Sequence, residues 1–145
     1  MPATATTPPR SAASAPSAAK ARALTVAAGV VAATAVWIVA DPLAGVALDV
    51  KSGSKTQHVA LPVAIFVSLL AGLAAWGVVT LLGRRSSGNP RTAWLIAGAV
   101  VFLVSLAGPL GSGIGTATKV SLVCEHLAVA SVLIPGMART LAPRR

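Results

Sequence analysis

Residues 59–82 read VALPVAIFVSLLAGLAAWGVVTLL, a run without a single charged side chain. A bilayer core of about 30 Å takes roughly 17–25 helical residues to cross, so this stretch is long enough to span a membrane. Three more runs share its character: Ala23–Ala40, Ala93–Leu110 and Val120–Ala138, of which only the last carries a charge, Glu125. Four such runs in a chain of 145 residues predict an all-α membrane protein, a bundle of four transmembrane helices. Composition agrees, with 55% hydrophobic and 10% charged residues against roughly 25% charged in an ordinary soluble domain. A soluble core is excluded because the chain lacks the polar residues to cover it.

The organisation follows from these runs. Residues 1–19 are nearly all Ala, Pro, Ser and Thr, which predicts a disordered cytoplasmic tail. A membrane domain is expected over 20–141, and a basic C-terminal tail over 142–145. The first run exceeds the 7–15 residues usual for a signal peptide, and Pro42 follows the one plausible cleavage point at Ala40. A retained first span is therefore expected over a cleaved leader.

Charge placement predicts topology. The net charge is +9 and the pI near 11.8. Arg10, Lys20, Arg22, Arg84, Arg85, Arg91, Arg139, Arg144 and Arg145 lie in the N-terminal tail, the 83–92 loop and the C-terminal tail, with no acid among them. The 41–58 and 111–119 loops hold Lys51, Lys55 and Lys119 against Asp41 and Asp49. Lysine and arginine near span ends stay on the cytoplasmic side, so both termini are expected inside, in a cytoplasmic membrane. The lipid bilayer is the expected partner, with a second copy or another membrane protein as further candidates. The cations are scattered without interleaved aromatics or a recognisable module, so nucleic acid is not an expected partner.

Two loops carry patterns of their own. Val46, Leu48 and Val50 alternate with Ala47, Asp49 and Lys51, then Ser52-Gly53-Ser54 offers a turn and Lys55–Val59 a return strand. Period-two alternation around glycine predicts a small extracytoplasmic β-hairpin packed on the outer helix ends, with an irregular loop as the alternative. The glycine-rich residues 111–116 resemble a phosphate loop only superficially, since no strand precedes them, and are expected to form a flexible linker.

Inside the bilayer, helices associate through close contact of small residues. Candidate pairs are Ala28/Ala32, Gly29/Ala33, Ser68/Gly72, Ala71/Ala75 and Ala93/Ala97. Pro109 and Pro135 each follow a serine by four residues, Ser105 and Ser131, and free the carbonyls of those serines near span ends. Trp37 and Trp94 sit where interfacial indoles are at home, and Trp76 reads as a packing anchor.

The one intramembrane polar constellation is Cys124-Glu125-His126. Glu125 lies six residues past Lys119, about 9 Å along a helix. A carboxylate at that depth costs roughly 2.5–3.5 kcal/mol and calls for a partner or water. Ser121 shares its face, His126 points about 100° away, and Asp41 at the end of the first span is expected near the same layer. Three readings stay open: a proton- or ion-responsive site with Glu125 titrating and His126 as relay, a structural polar clasp, or a carboxylate solvated from outside. Metal-ligand spacing, a cofactor motif and a catalytic triad are all missing from the pattern, so no enzyme, metal or cofactor is expected. The lone Cys124 permits no intramolecular disulfide.

The stretch from Val36-Trp37 to Leu43-Ala44-Gly45-Val46, the run from Ser68 to Trp76 and Arg84-Arg85 form one recognisable series. It continues through Trp94, Ser105–Leu110 and His126-Leu127 to Leu133-Ile134-Pro135-Gly136. In these pieces residues 23–141 resemble a family of uncharacterised four-pass membrane proteins of actinobacterial type, a domain of unknown function. The resemblance implies a membrane location and a four-helix fold, and no activity. Glu125 stands where the family leads one to expect methionine, so His126 is the better candidate for a shared site.

These readings converge on a non-enzymatic structural or accessory protein of the membrane. The alternative is a small proton-linked carrier or sensor using Glu125 and His126.

Overall fold

The computed structural model describes residues 17–85 and 88–141. The tail expected at 1–19 lies outside the described residues up to position 16, and the basic tail at 142–145 lies outside them entirely.

Helix α1, Ala18–Ile38, starts at Ser17, whose hydroxyl accepts from the Lys20 amide at 3.4 Å. Such a cap satisfies one of the amides left open at a helix start. The helix widens at its far end into a π-helical turn, Val39–Leu43. Pro42 lies inside this turn and cannot donate a bond four residues back. The wider turn carries the backbone past it, with the Ala44 amide reaching the Val39 carbonyl at 3.0 Å.

A two-stranded antiparallel hairpin follows, β1 at Asp49–Ser52 and β2 at Lys55–His58. The alternation in the sequence thus forms the hairpin, in strands shorter than the pattern suggests. Asp49 pairs with His58 and Ser52 with Lys55, leaving Gly53-Ser54 as a two-residue turn. Gly53 has φ +62, and no other residue type in the described chain has positive φ. That is the type II′ arrangement, which matches the right-handed strand twist and needs glycine in its first central place.

Helix α2 spans Leu61–Arg85. Helix α3, Pro90–Ser105, starts at Asn89, whose Oδ1 accepts from the Arg91 amide at 3.0 Å, with Pro90 in the first turn where no amide is missed. The helix is interrupted at Leu106 and resumes as α4, Ala107–Ser112. Pro109, four residues after Ser105, accounts for the break. Both serines ahead of the prolines bond three residues back: Ser105 Oγ to the Phe102 carbonyl at 2.7 Å and Ser131 Oγ to the Ala128 carbonyl at 2.8 Å. Helix α5, Thr116–Ala138, runs through Pro135 without a break.

Among the described residues, four helical spans are long and apolar enough to cross a membrane: Ala18–Leu43, Leu61–Arg85, Pro90–Ser112 and Thr116–Ala138. The shorter pair have 23 residues each, about 34 Å of helix against a hydrocarbon core of about 30 Å. Phe66, Val67, Leu70, Ile96, Val100, Val104 and Leu127 are exposed, which is the surface a lipid solvent requires and water would punish.

Helix α1 is the hub. It packs most extensively on α5 and next on α2, while α3 packs mainly on α5. Two glycines make its crossings close. A Cβ on Gly72 would lie 2.8 Å from Val26 Cγ1, and one on Gly136 would lie 2.5 Å from Thr25 Cγ2. Of the small-residue pairs, Gly29/Ala33 and Ser68/Gly72 are buried, whereas Ala28 and Ala71 are exposed. At the end of the bundle that holds Arg22 and Thr140, Val26, Val79, Trp94, Met137, Ala138 and Leu141 form a buried cluster flanked by Ala75, Trp76 and Leu82. Trp94 thus lies in the core rather than at a lipid interface.

Candidate functional site

The hairpin sits on the opposite end, and it is fastened there by backbone and side chains together. Leu48 is buried, with Val46 and Val50 half-buried on the same face. The Thr118 hydroxyl donates to the Ala47 carbonyl at 2.7 Å, and the Ile114 amide to the Asp49 carbonyl at 2.9 Å. Val50 forms an isolated bridge with Gly113. The 111–116 segment is therefore tied to the hairpin, not a free linker. On the α1 side, the Trp37 indole donates to the Val59 carbonyl at 2.7 Å.

Asp41 belongs to this rim. Its carboxylate lies 3.5 Å from His58 Nε2, and the other ring nitrogen lies 3.4 Å from Asp49. One imidazole thus bridges the π-helical turn at the end of α1 and the first hairpin strand, and it carries charge only when protonated. No group of His, Cys, Asp and Glu among the described residues is arranged to hold a metal ion. His58 has a sequence signal in retrospect: confining the turn to Gly53-Ser54 places it opposite Asp49.

The remaining candidates lie in α5. Because that helix begins at Thr116, Glu125 is about 14 Å along it from its first residue. Ser121 and Glu125 are half-buried on one face, and His126 is half-buried on another. His126 Nδ1 is 2.8 Å from the Leu122 carbonyl one turn back. A carbonyl only accepts, so this contact places the proton on Nδ1 and leaves Nε2 as the acceptor of the neutral ring. Cys124 is exposed. The described hydrogen bonds and ion pairs do not connect Asp41 with Ser121, Glu125 or His126; the expected four-residue constellation is divided between the rim and the fourth span.

A second polar centre lies at the other end, and sequence reasoning misses it. Arg22 Nε donates to Thr140 Oγ1 at 3.0 Å and Nη1 to Thr80 Oγ1 at 2.9 Å. Thr80 donates to the Trp76 carbonyl and Thr140 to the Met137 carbonyl, each at 2.8 Å. The start of α1, the end of α2 and the residues after α5 are thereby joined through one guanidinium. Beside it is a cleft of about 390 Å³ lined by Arg22, Thr80, Arg84, Pro90, Thr140 and Leu141. Positions 22, 80 and 140 share no motif or period, so nothing in the linear chain announces them.

Residues 13–143 match a family of unknown function (DUF6069). The chain belongs to that family. No curated protein and no solved structure matches it.

Proposed function

We propose that this multi-pass membrane protein is a non-enzymatic structural or accessory subunit of the cytoplasmic membrane, acting through helix contacts. In this reading both termini and the arginine-rich 83–92 turn face the cell interior, as the nine cations of that set favour. The observation that carries it is the close approach of the hub helix to its neighbours at Gly72 and Gly136. Helices in such contact are set up to hold a fixed shape, and their lipid-facing sides offer apolar area to a second copy or another membrane protein.

A second reading, a proton-linked carrier or sensor, is favoured by the division of labour in α5. His126 has Nδ1 committed to Leu122, leaving Nε2 as the open nitrogen of the ring, and the Glu125 side chain makes no hydrogen bond or ion pair among the described residues. Proton flux in proteoliposomes separates the two. The structural reading expects no protein-dependent flux, and co-purification of a defined partner in mild detergent. A pH-driven flux abolished by Glu125→Gln or His126→Ala establishes the carrier in its place.

A further inference from the structure

The cleft beside Arg22 has the chemistry of an anion site. Two guanidiniums, Arg22 and Arg84, line it together with two threonine hydroxyls, while Pro90 and Leu141 supply buried apolar walls. Arg22 does not wander: its bonds to Thr80 and Thr140 fix the plane of the guanidinium against two other helical segments. Pre-ordering of this kind reduces the entropy lost when a ligand binds. Arg84 is exposed at the end of α2 and so is available at the mouth.

The charge there is uncompensated by any acidic side chain. The chain has three, Asp41, Asp49 and Glu125. Two sit on the opposite rim, and Glu125 is fifteen residues from Thr140, about 22 Å along helix. An arginine fork matches phosphate oxygens in geometry as well as charge. The level in the bundle fits too, because the cleft lies at the end of four spans, where head groups meet the protein.

We propose that the cleft formed by Arg22, Thr80, Arg84 and Thr140 binds a phosphate group, carried by an anionic phospholipid head group or by a free phosphate compound. Arg22 and Arg84 take the phosphate oxygens, and the two threonines hold Arg22 in place. The site differs from general attraction of basic termini to anionic membranes, because it requires Arg84 and not its neighbours. It stands apart from the question of transport and from which side of the membrane the basic end faces.

The test uses the full chain purified in mild detergent, with lipid retention read by native mass spectrometry. Phosphatidylglycerol and phosphatidylcholine are offered separately to the wild type, Arg84→Gln and Arg91→Gln. Arg91 is exposed nearby without lining the cleft. Saturable retention of one phosphatidylglycerol per chain is expected, weakened about tenfold by Arg84→Gln, the worth of one charge-assisted bond, and unchanged by Arg91→Gln. Arg84 is chosen because its exposed position leaves the fold intact, whereas Arg22 variants also break the threonine bonds. Inorganic phosphate is then titrated as competitor: displacement only in large excess identifies the lipid as the source, and displacement at comparable concentration identifies a free phosphate compound. Equal retention of the two lipids, or equal weakening by the two arginine variants, overturns the proposal.

Discussion

The indole N–H of Trp94 donates to the carbonyl of Ile134 at 2.9 Å, one residue before Pro135. The bond joins the first turns of α3 to the last turns of α5. Trp94 is only 5% exposed, so its polar edge has no water to fall back on and must find a partner inside the protein. Directly behind it lie Met137, Val79 and Val26, contributed by the other three spans. One aromatic side chain therefore touches the packing of the whole bundle at its basic end.

Trp94→Phe keeps an aromatic side chain but removes the donor and part of the indole's volume. The bond alone is worth about 0.6 kcal/mol between membrane helices, and up to about 1.7 in favourable cases. A loss of at least that size, read by unfolding in mixed micelles, is expected for Trp94→Phe, because the smaller ring also leaves a cavity in the buried cluster. Full retention of wild-type stability would contradict the role given to the Ile134 carbonyl.

Gly72→Ala and Gly136→Ala drive a methyl into Val26 and Thr25. Both neighbours are β-branched and held in one or two rotamers on a helix, so they cannot swing away. Each substitution is expected to cost about 1–3 kcal/mol by overpacking. Gly77→Ala, with nothing within 4 Å, is the comparison expected to leave stability unchanged or slightly raised. The same unfolding measurement checks all three.

His58 ties Asp41 to Asp49 only while its ring is charged. His58→Gln removes the ring that faces both carboxylates, and amide-exchange protection of β1 and β2 is expected to fall in that variant while the opposite end of the bundle is unaffected. The effect is small, no more than about 1 kcal/mol, because His58 and Asp49 are both more than a third exposed.

Arg22→Lys preserves charge but cannot reach Thr80 and Thr140 with a planar fork. The expected result is a looser basic end: Thr140 and Leu141 become more accessible to exchange while the hairpin end is unaffected. Equal protection at both ends in this variant would show that the threonine bonds carry no structural weight.

The spans are legible in the sequence because lipid imposes a length and forbids charge, and both constraints are local. The hairpin is legible for a similar reason, since Val46, Leu48 and Val50 repeat at the strand period beside Gly53. Its register is a step further, and only that step delivers the Asp49–His58 pair. Contacts between distant helices leave no such trace. In a chain this rich in alanine, Gly29 and Ser68 are buried while the equally spaced Ala28 and Ala71 are exposed, and spacing alone does not rank them. Asp41 goes to His58 rather than to the fourth span because the π-helical turn and the register of the hairpin bring the two side chains together, and neither the turn nor the register is visible as a motif. Arg22 reads as one more topological cation until Thr80 and Thr140 are seen beside it.

Four membrane crossings with both termini inside are tested most directly by sidedness labelling of single cysteines in whole cells and in permeabilised cells. In a Cys124→Ser background, Ser54→Cys in the hairpin turn and Gly88→Cys between α2 and α3 are compared with cysteines added at each end of the chain. An impermeant maleimide is expected to label position 54 in intact cells, and to reach position 88 and both ends only after permeabilisation. Labelling of one end but not the other in intact cells, or of positions 54 and 88 alike, would contradict four crossings with both termini inside.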